Sequence, residues 1–139
     1  MDELIIEAKT ENLESVLNFV AGKLETADCP EKLRTQISIV IEEIFVNIAR
    51  YAYAPSTGGA AVRVAVGEEE IAVEFEDSGQ PYNPLENEAP DIRAGVEERR
   101  IGGLGIYMVK NMADATEYRR EGNKNILTVR KKRTYKSHD

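Results

Sequence analysis

Residues 42–53 read EEIFVNIARYAY. They put two carboxylates and, four residues after the second, an asparagine inside a run that is otherwise apolar. Around them Leu33, Ile37, Val40, Ile41, Ile44 and Ile48 recur every three to four positions, a period that predicts one long helix from Pro30 to about Ala52. Each residue turns roughly 100° about a helix axis. With Ile44 at the centre of the buried stripe, Asn47 then lies roughly 60° to one side and Glu43 roughly 100° to that same side, while Glu42 faces water. Glu43 and Asn47 are thus i and i+4 neighbours at the edge of the core. Three explanations compete: a solvated helix edge, a metal site, or a carboxylate that must meet a proton. Taken alone, the pair is more often a boundary glutamate and a surface asparagine. The chemical alternative is a base whose pKa desolvation raises, one turn from an amide oxygen able to ligate a hard cation such as Mg²⁺.

Working outward, LIIEAKT (4–10) predicts a strand, and Leu13, Val16, Leu17, Val20 and Leu24 predict an amphipathic helix. After the long helix, APSTGG breaks the pattern. AAVRVAV and IAVEFED, joined by GEEE, then form a hairpin signal. Residues 78–103 are irregular and rich in proline, glycine and acids, a length that marks a functional or mobile loop. Leu104, Tyr107, Met108 and Met112 restore helical spacing. ATEYRRE and ILTVRKK, joined by GNKN, close the chain as a second hairpin around Gly122 and Asn123. The order β-α-α-β-β-loop-α-β-β predicts an α+β fold: a two-layer α/β sandwich whose mixed, mostly antiparallel sheet is covered on one face by helices.

A chain of 139 residues is expected to form a single domain, residues 1–139. Its 42% apolar and 31% charged residues are a globular balance. With 25 acidic against 18 basic residues, a net charge of −7, sequence-independent binding of nucleic acid is disfavoured. No apolar run approaches the length of a membrane span, and MDELII lacks a signal peptide's basic start. The lone Cys29 predicts a reducing cytoplasm, and the basic RKKRTYK end reads as a solvated tail.

Two glycine-bearing segments add to the long helix. FEDSGQP releases Asp77 from the end of a strand into Ser78 and Gly79, an ordinary turn composition that also frees a carboxylate for a ligand. RRIGGLGIYMVKNMAD puts Gly102, Gly103 and Gly105 at the start of a helix, where backbone N–H groups favour phosphate. No Gly-Lys-Ser/Thr follows, so this is not a Walker loop, and no first strand of a βαβ unit precedes it.

In this order (ExxxN on a helix, DxG after a strand, a long loop, GGxG opening a helix) the chain resembles the histidine-kinase-like ATPases of the Bergerat fold, shared by gyrase, sensor histidine kinases and MutL. Within them it looks like the bacterial anti-sigma-factor serine/threonine kinases of the RsbW and SpoIIAB type, over nearly its whole length. The resemblance implies ATP and Mg²⁺ as cofactors and an ATP lid at about residues 80–102. Glu43 matches the acid that activates the attacking hydroxyl and Asn47 the Mg²⁺ ligand. Asp77 matches the aspartate that accepts from the adenine amino group, and Gly79 the glycine under the purine. Gly103 and Gly105, with Gly102 beside them, match the glycines along the phosphates, and Thr128 the threonine behind the adenine. Arg100 stands one place further back than the arginine many relatives carry before these glycines; it is the candidate for the terminal phosphate. Tyr51 stands where many relatives have histidine.

The implied activity is transfer of the ATP γ-phosphate to a serine or threonine of an anti-anti-sigma, STAS-like partner, with sequestration of a sigma factor. The first strand resembles the family's dimer-forming edge, so a homodimer is expected. The single histidine, His138, sits beside the C-terminal residue, which argues against a phospho-accepting histidine. The alternatives are a non-catalytic module that binds ATP or ADP and partner proteins, and an interaction domain without nucleotide. The last would leave Glu43, Asn47 and Asp77 without a shared purpose.

Overall fold

A computed structural model describes residues 1–86 and 103–133 of the chain. The described elements follow the expected order. They are β1 (Asp2–Glu7), α1 (Leu13–Thr26), α2 (Glu31–Tyr51), β2 (Gly59–Val66), β3 (Glu70–Asp77), α3 (Gly103–Met112), β4 (Ala115–Glu121) and β5 (Lys124–Lys132). The strands form one sheet in the order β1-β2-β3-β5-β4, and its four ladders are all antiparallel. The mixed sheet expected from the sequence is therefore antiparallel throughout the described residues.

Strand alternation divides the sheet into two faces. Val62, Val64, Ile71, Val73, Phe75, Leu127 and Val129 turn inward and join Val16, Val20 and Leu24 of α1 and the buried stripe of α2 in one core. That stripe is Leu33, Ile37, Val40, Ile41, Ile44 and Phe45, none more than 1% exposed, as the three-to-four spacing requires. The other face carries Arg63, Glu74 and Glu76. The Arg63 guanidinium donates to Glu74, Glu3 and Glu76, each at 2.9 Å. Among the described residues no helix is long and apolar enough to cross a membrane.

The second hairpin turns where expected, at Gly122 (φ 60°) and Asn123, but β5 begins at Lys124 rather than at Ile126. The strand is longer by two residues, and Asn125 enters the ladder directly opposite Asp77.

Candidate functional site

The C-terminal half of α2, the end of β3 and the start of β5 line a narrow, partly open cavity of about 30 Å³. Apolar walls come from Ile44, Ile48, Phe75 and Leu127; Asn47, Asp77 and Asn125 supply the polar positions. Asp77 shares the inward parity of Ile71, Val73 and Phe75, so one strand delivers apolar wall and carboxylate to the same face.

Asp77 is buried, and its Oδ1 accepts from Gly79 N and Asn125 Nδ2, both at 2.9 Å. Asn125 is a hub. Its Nδ2 also donates to Gln80 O at 2.9 Å, and its Oδ1 accepts from Tyr118 Oη at 2.5 Å, Arg120 Nη1 at 3.1 Å and Tyr82 N at 3.4 Å. A guanidinium can only donate, so the atom facing Arg120 is the amide oxygen and the amide orientation is determined. These bonds anchor Asp77 through Oδ1 and leave Oδ2 as its acceptor for a ligand.

The DSGQ turn is strapped to the end of α2. Gln80 N and Nε2 donate to Ala52 O and Tyr51 O, each at 3.0 Å. A Cβ on Gly79 would lie 2.2 Å from Ala52 O, so only glycine permits this approach. Tyr53 completes the joint: its hydroxyl donates to Gly59 O at 2.6 Å and accepts from Ser78 N at 2.7 Å. Its ring fills the space a side chain at Gly58 would need.

Asn47 is 9% exposed, and its Oδ1 is buried with no hydrogen-bond partner among the described residues. A lone buried acceptor is costly, and an amide oxygen in the wall of a cavity fits a hard cation completed by waters and phosphate oxygens. No cluster of three His, Cys, Asp or Glu side chains suited to a metal occurs among the described residues; Mg²⁺ held partly by a nucleotide does not require one. Glu42 faces water, and Glu43, one turn before Asn47, is half-buried. Desolvation, then the neighbouring Glu42, push the Glu43 carboxyl above its ordinary pKa, against the opposing pull of Arg50.

The structure thus gathers Asn47 and Asp77 at one cavity, holds Gly79 beside it through the bond to Asp77 Oδ1, and puts Glu43 one helical turn before Asn47. Gly103 opens α3, and Gly105 faces Glu43. Thr128 is a correction. It pairs with Glu74 on the outward face, is 3% exposed there and donates to Glu74 Oε2 at 2.9 Å. Period-2 alternation turns it away from the cavity; Asn125, three residues earlier, occupies the place expected of it. Arg100, Gly102 and most of the expected lid lie outside the described residues. The sequence reading missed Asn125, Tyr53 and Tyr118. The signal for Asn125 was the register that pairs the last residue of β3 with the first turn-proximal residues of β5.

Comparison with known proteins agrees with this fold. The chain is 24% identical over 100 residues to a serine/threonine-protein kinase, BtrW, of Bordetella bronchiseptica, a match covering 70% of each chain. Its fold is similar to a chain in the SiaB–SiaC complex of Pseudomonas aeruginosa, with a TM-score of 0.59 at 16% identity, covering 93% of this chain and 89% of that one. It is also similar to the histidine kinase domain of a blue-light-activated kinase of Erythrobacter litoralis, with a TM-score of 0.52 at 16% identity, covering 87% and 61%. The model of the histidine kinase-like ATPase domain matches residues 6–131, and the chain belongs to that family.

Proposed function

We propose that this chain is an ATP-dependent serine/threonine protein kinase of the anti-sigma type. It transfers the γ-phosphoryl group to a serine or threonine of an anti-anti-sigma, STAS-like partner, and it sequesters a sigma factor, acting in the cytoplasm as a homodimer. The observation that carries the reading is the orphaned Asn47 Oδ1 in the same cavity wall as the anchored Asp77.

In this reading Asp77 accepts a hydrogen bond from the adenine amino group. Guanine carries a carbonyl at that position, so ATP is preferred over GTP. Ile44, Ile48, Phe75 and Leu127 flank the base. Asn47 would hold Mg²⁺, which would supply charge neutralisation on the transferring group. Glu43 receives the proton of the acceptor hydroxyl. As the hydroxyl oxygen bonds to the γ-phosphorus, the bond from that phosphorus to the β–γ bridging oxygen breaks, and its electron pair leaves with ADP. A carboxylate made more basic by burial suits the task. Arg100, Gly102 and Gly103 are assigned to the phosphates.

Similarity to the serine/threonine-protein kinase BtrW supports the reaction class, and the neighbour solved as a two-protein complex supports a protein partner. The edge position of β1 and the 74% exposure of Ile5 support pairing between copies.

The test is incubation of purified protein with Mg-ATP and candidate STAS proteins, followed by phosphoserine detection. Glu43→Gln is expected to lower transfer by about 10²–10⁴-fold with ATP affinity within threefold of the parent. Nucleotide binding without transfer to any partner would instead identify a non-catalytic ATP/ADP-binding module. A chain that binds no adenine nucleotide would end both readings.

A further inference from the structure

Gly105 is the third residue of α3, and glycine is the poorest helix former after proline. Nothing in the helix itself calls for it. The reason lies on the facing helix. A Cβ built on Gly105 would stand 1.8 Å from Glu43 Oε2, 2.6 Å from its Cδ and 3.3 Å from its Cγ. The Glu43 carboxylate therefore occupies the volume that any side chain at 105 would take. Gly22 of α1 is a useful contrast: a Cβ there meets nothing within 4 Å, so no neighbour requires that glycine.

We infer that Gly105 is a positioning residue for Glu43: its bare Cα is one wall of a socket, and α3 rather than α2 determines where the carboxylate sits. The inference rests on Glu43 as the proposed base and adds the element that governs it. It also changes the expected task of the third glycine in GGLG, from approaching phosphate to housing a side chain. A glutamate has three rotatable bonds between backbone and carboxylate, so α2 alone leaves the group free to swing into water. The socket removes that freedom, which is what a base must lose to meet a hydroxyl in line. The charged groups around it are Glu42 and Arg50 on α2. The first turn of α3 brings no acid, and its basic residue Lys110 is in the last turn.

An alanine at 105 has to evict the carboxylate, because the contact atom is the flexible end of Glu43 and not backbone. Eviction returns Glu43 to water, and the desolvation that raises its pKa goes with it. The experiment is Gly105→Ala in the full chain, with the Glu43 carboxyl carbon titrated by NMR in the absence of nucleotide and partner. The titration midpoint is expected to fall toward the ordinary glutamate value. Phosphotransfer is expected to drop at least tenfold while ADP affinity stays within threefold. An unchanged midpoint in a folded Gly105→Ala chain overturns the inference.

Should Gly105→Ala fail to fold, the pair Glu43→Ala/Gly105→Ala decides, since emptying the socket makes room for the new methyl. Recovery of folding in the double variant upholds the socket, and an unfolded double variant alongside a folded Glu43→Ala refutes it. The two ideas fail separately. Full transfer in Glu43→Gln would remove the base assignment while leaving the titration result to decide the socket.

Discussion

Replacing Asn125 by alanine is the sharpest perturbation the cavity offers. The wild-type amide makes five polar contacts, but they do not weigh equally. Arg120 Nη1 keeps Gly79 O at 2.9 Å after the change, the Tyr82 N contact at 3.4 Å is long, and Tyr118 is a half-buried residue of the cavity lining. The uncompensated losses are the two Nδ2 donations, to Asp77 Oδ1 and to Gln80 O. An acceptor left unpaired costs about 1–3 kcal/mol, with the charged one towards the upper end. Water entering an open cavity recovers part of that sum, which leaves a net loss of about 2–3 kcal/mol. With a urea slope of about 1.5 kcal/mol/M for a chain of this size, the midpoint should fall by roughly 1–2 M.

A second readout separates packing from function. Asp77 would then be held only by Gly79 N, so the preference for ATP over GTP should narrow by about tenfold, or 1.4 kcal/mol. Urea unfolding by circular dichroism and calorimetric titration with both nucleotides measure the two effects. A midpoint shift under about 0.3 M, or a full stability loss with the ATP/GTP ratio intact, would show that Asn125 does not orient Asp77.

Two further substitutions test the frame around the site. Tyr53→Phe keeps the ring in the hollow over Gly58 but removes the hydroxyl that ties Gly59 O to Ser78 N; a loss of about 1–2 kcal/mol is expected, and a thermal midpoint equal to the parent's would refute the tie. Arg63→Met tests the outward face. Burial pushes the Glu74 and Glu76 carboxyls up, but the hydrogen bonds from Arg63, joined by Thr128 at Glu74 and Lys124 at Glu76, outweigh it and hold both below the ordinary range. A depressed carboxylate contributes stability that is present above its unfolded pKa and is lost as pH falls through its folded value. Arg63→Met should therefore cost about 2 kcal/mol at pH 7 and progressively less as pH falls below the ordinary glutamate range; equal losses at neutral and strongly acid pH would contradict the pairing.

The elements were legible because their periods are clean: the α2 stripe repeats every three to four residues, and β2 and β3 alternate across a turn of glycine and glutamates. The face of β5 was not. Ile126, Leu127 and Val129 make a nearly continuous apolar run, because Ile126 is 4% exposed on the outward face, beside Glu76 and Arg119. A continuous run hides the alternation that would have turned Thr128 outward and Asn125 inward. Tyr53 lies just past the expected end of the long helix, and nothing local announces that the end of β3 will arrive against it. The contact of Glu43 with Gly105 joins residues far apart in the chain, so spacing within either helix carries no trace of it. What composition and order did convey were Glu43, Asn47 and Asp77, which stood out because polar groups broke apolar patterns.

That same misfit predicts the outcome at Asn47. On the outward face polar groups are well matched: Arg63 serves three carboxylates, Thr128 donates to Glu74, and Lys124 lies 3.3 Å from Glu76. In the first half of α2 Arg34 Nε is buried without a partner among the described residues, although its Nη1 pairs with Glu25. Nearer the end of the helix Asn47 Oδ1 is likewise buried and unpartnered among the described residues, a cost of about 1–3 kcal/mol that an apolar residue would not carry. Asn47→Leu removes the orphan, and its added methyl groups have the neighbouring cavity to enter. The variant should be more stable than the parent by about 1–2 kcal/mol in urea unfolding. Calorimetry with ADP should move the opposite way. No Lys or Arg is among the described residues lining the cavity, and the chain carries a net charge of −7, so the parent's ADP affinity should fall at least tenfold when Mg²⁺ is chelated. Asn47→Leu should bind ADP weakly in both conditions, with adenosine binding unchanged. A folded Asn47→Leu chain less stable than the parent would mean that the amide is satisfied after all, and a Mg²⁺ dependence that survives the substitution would move the metal ligand elsewhere.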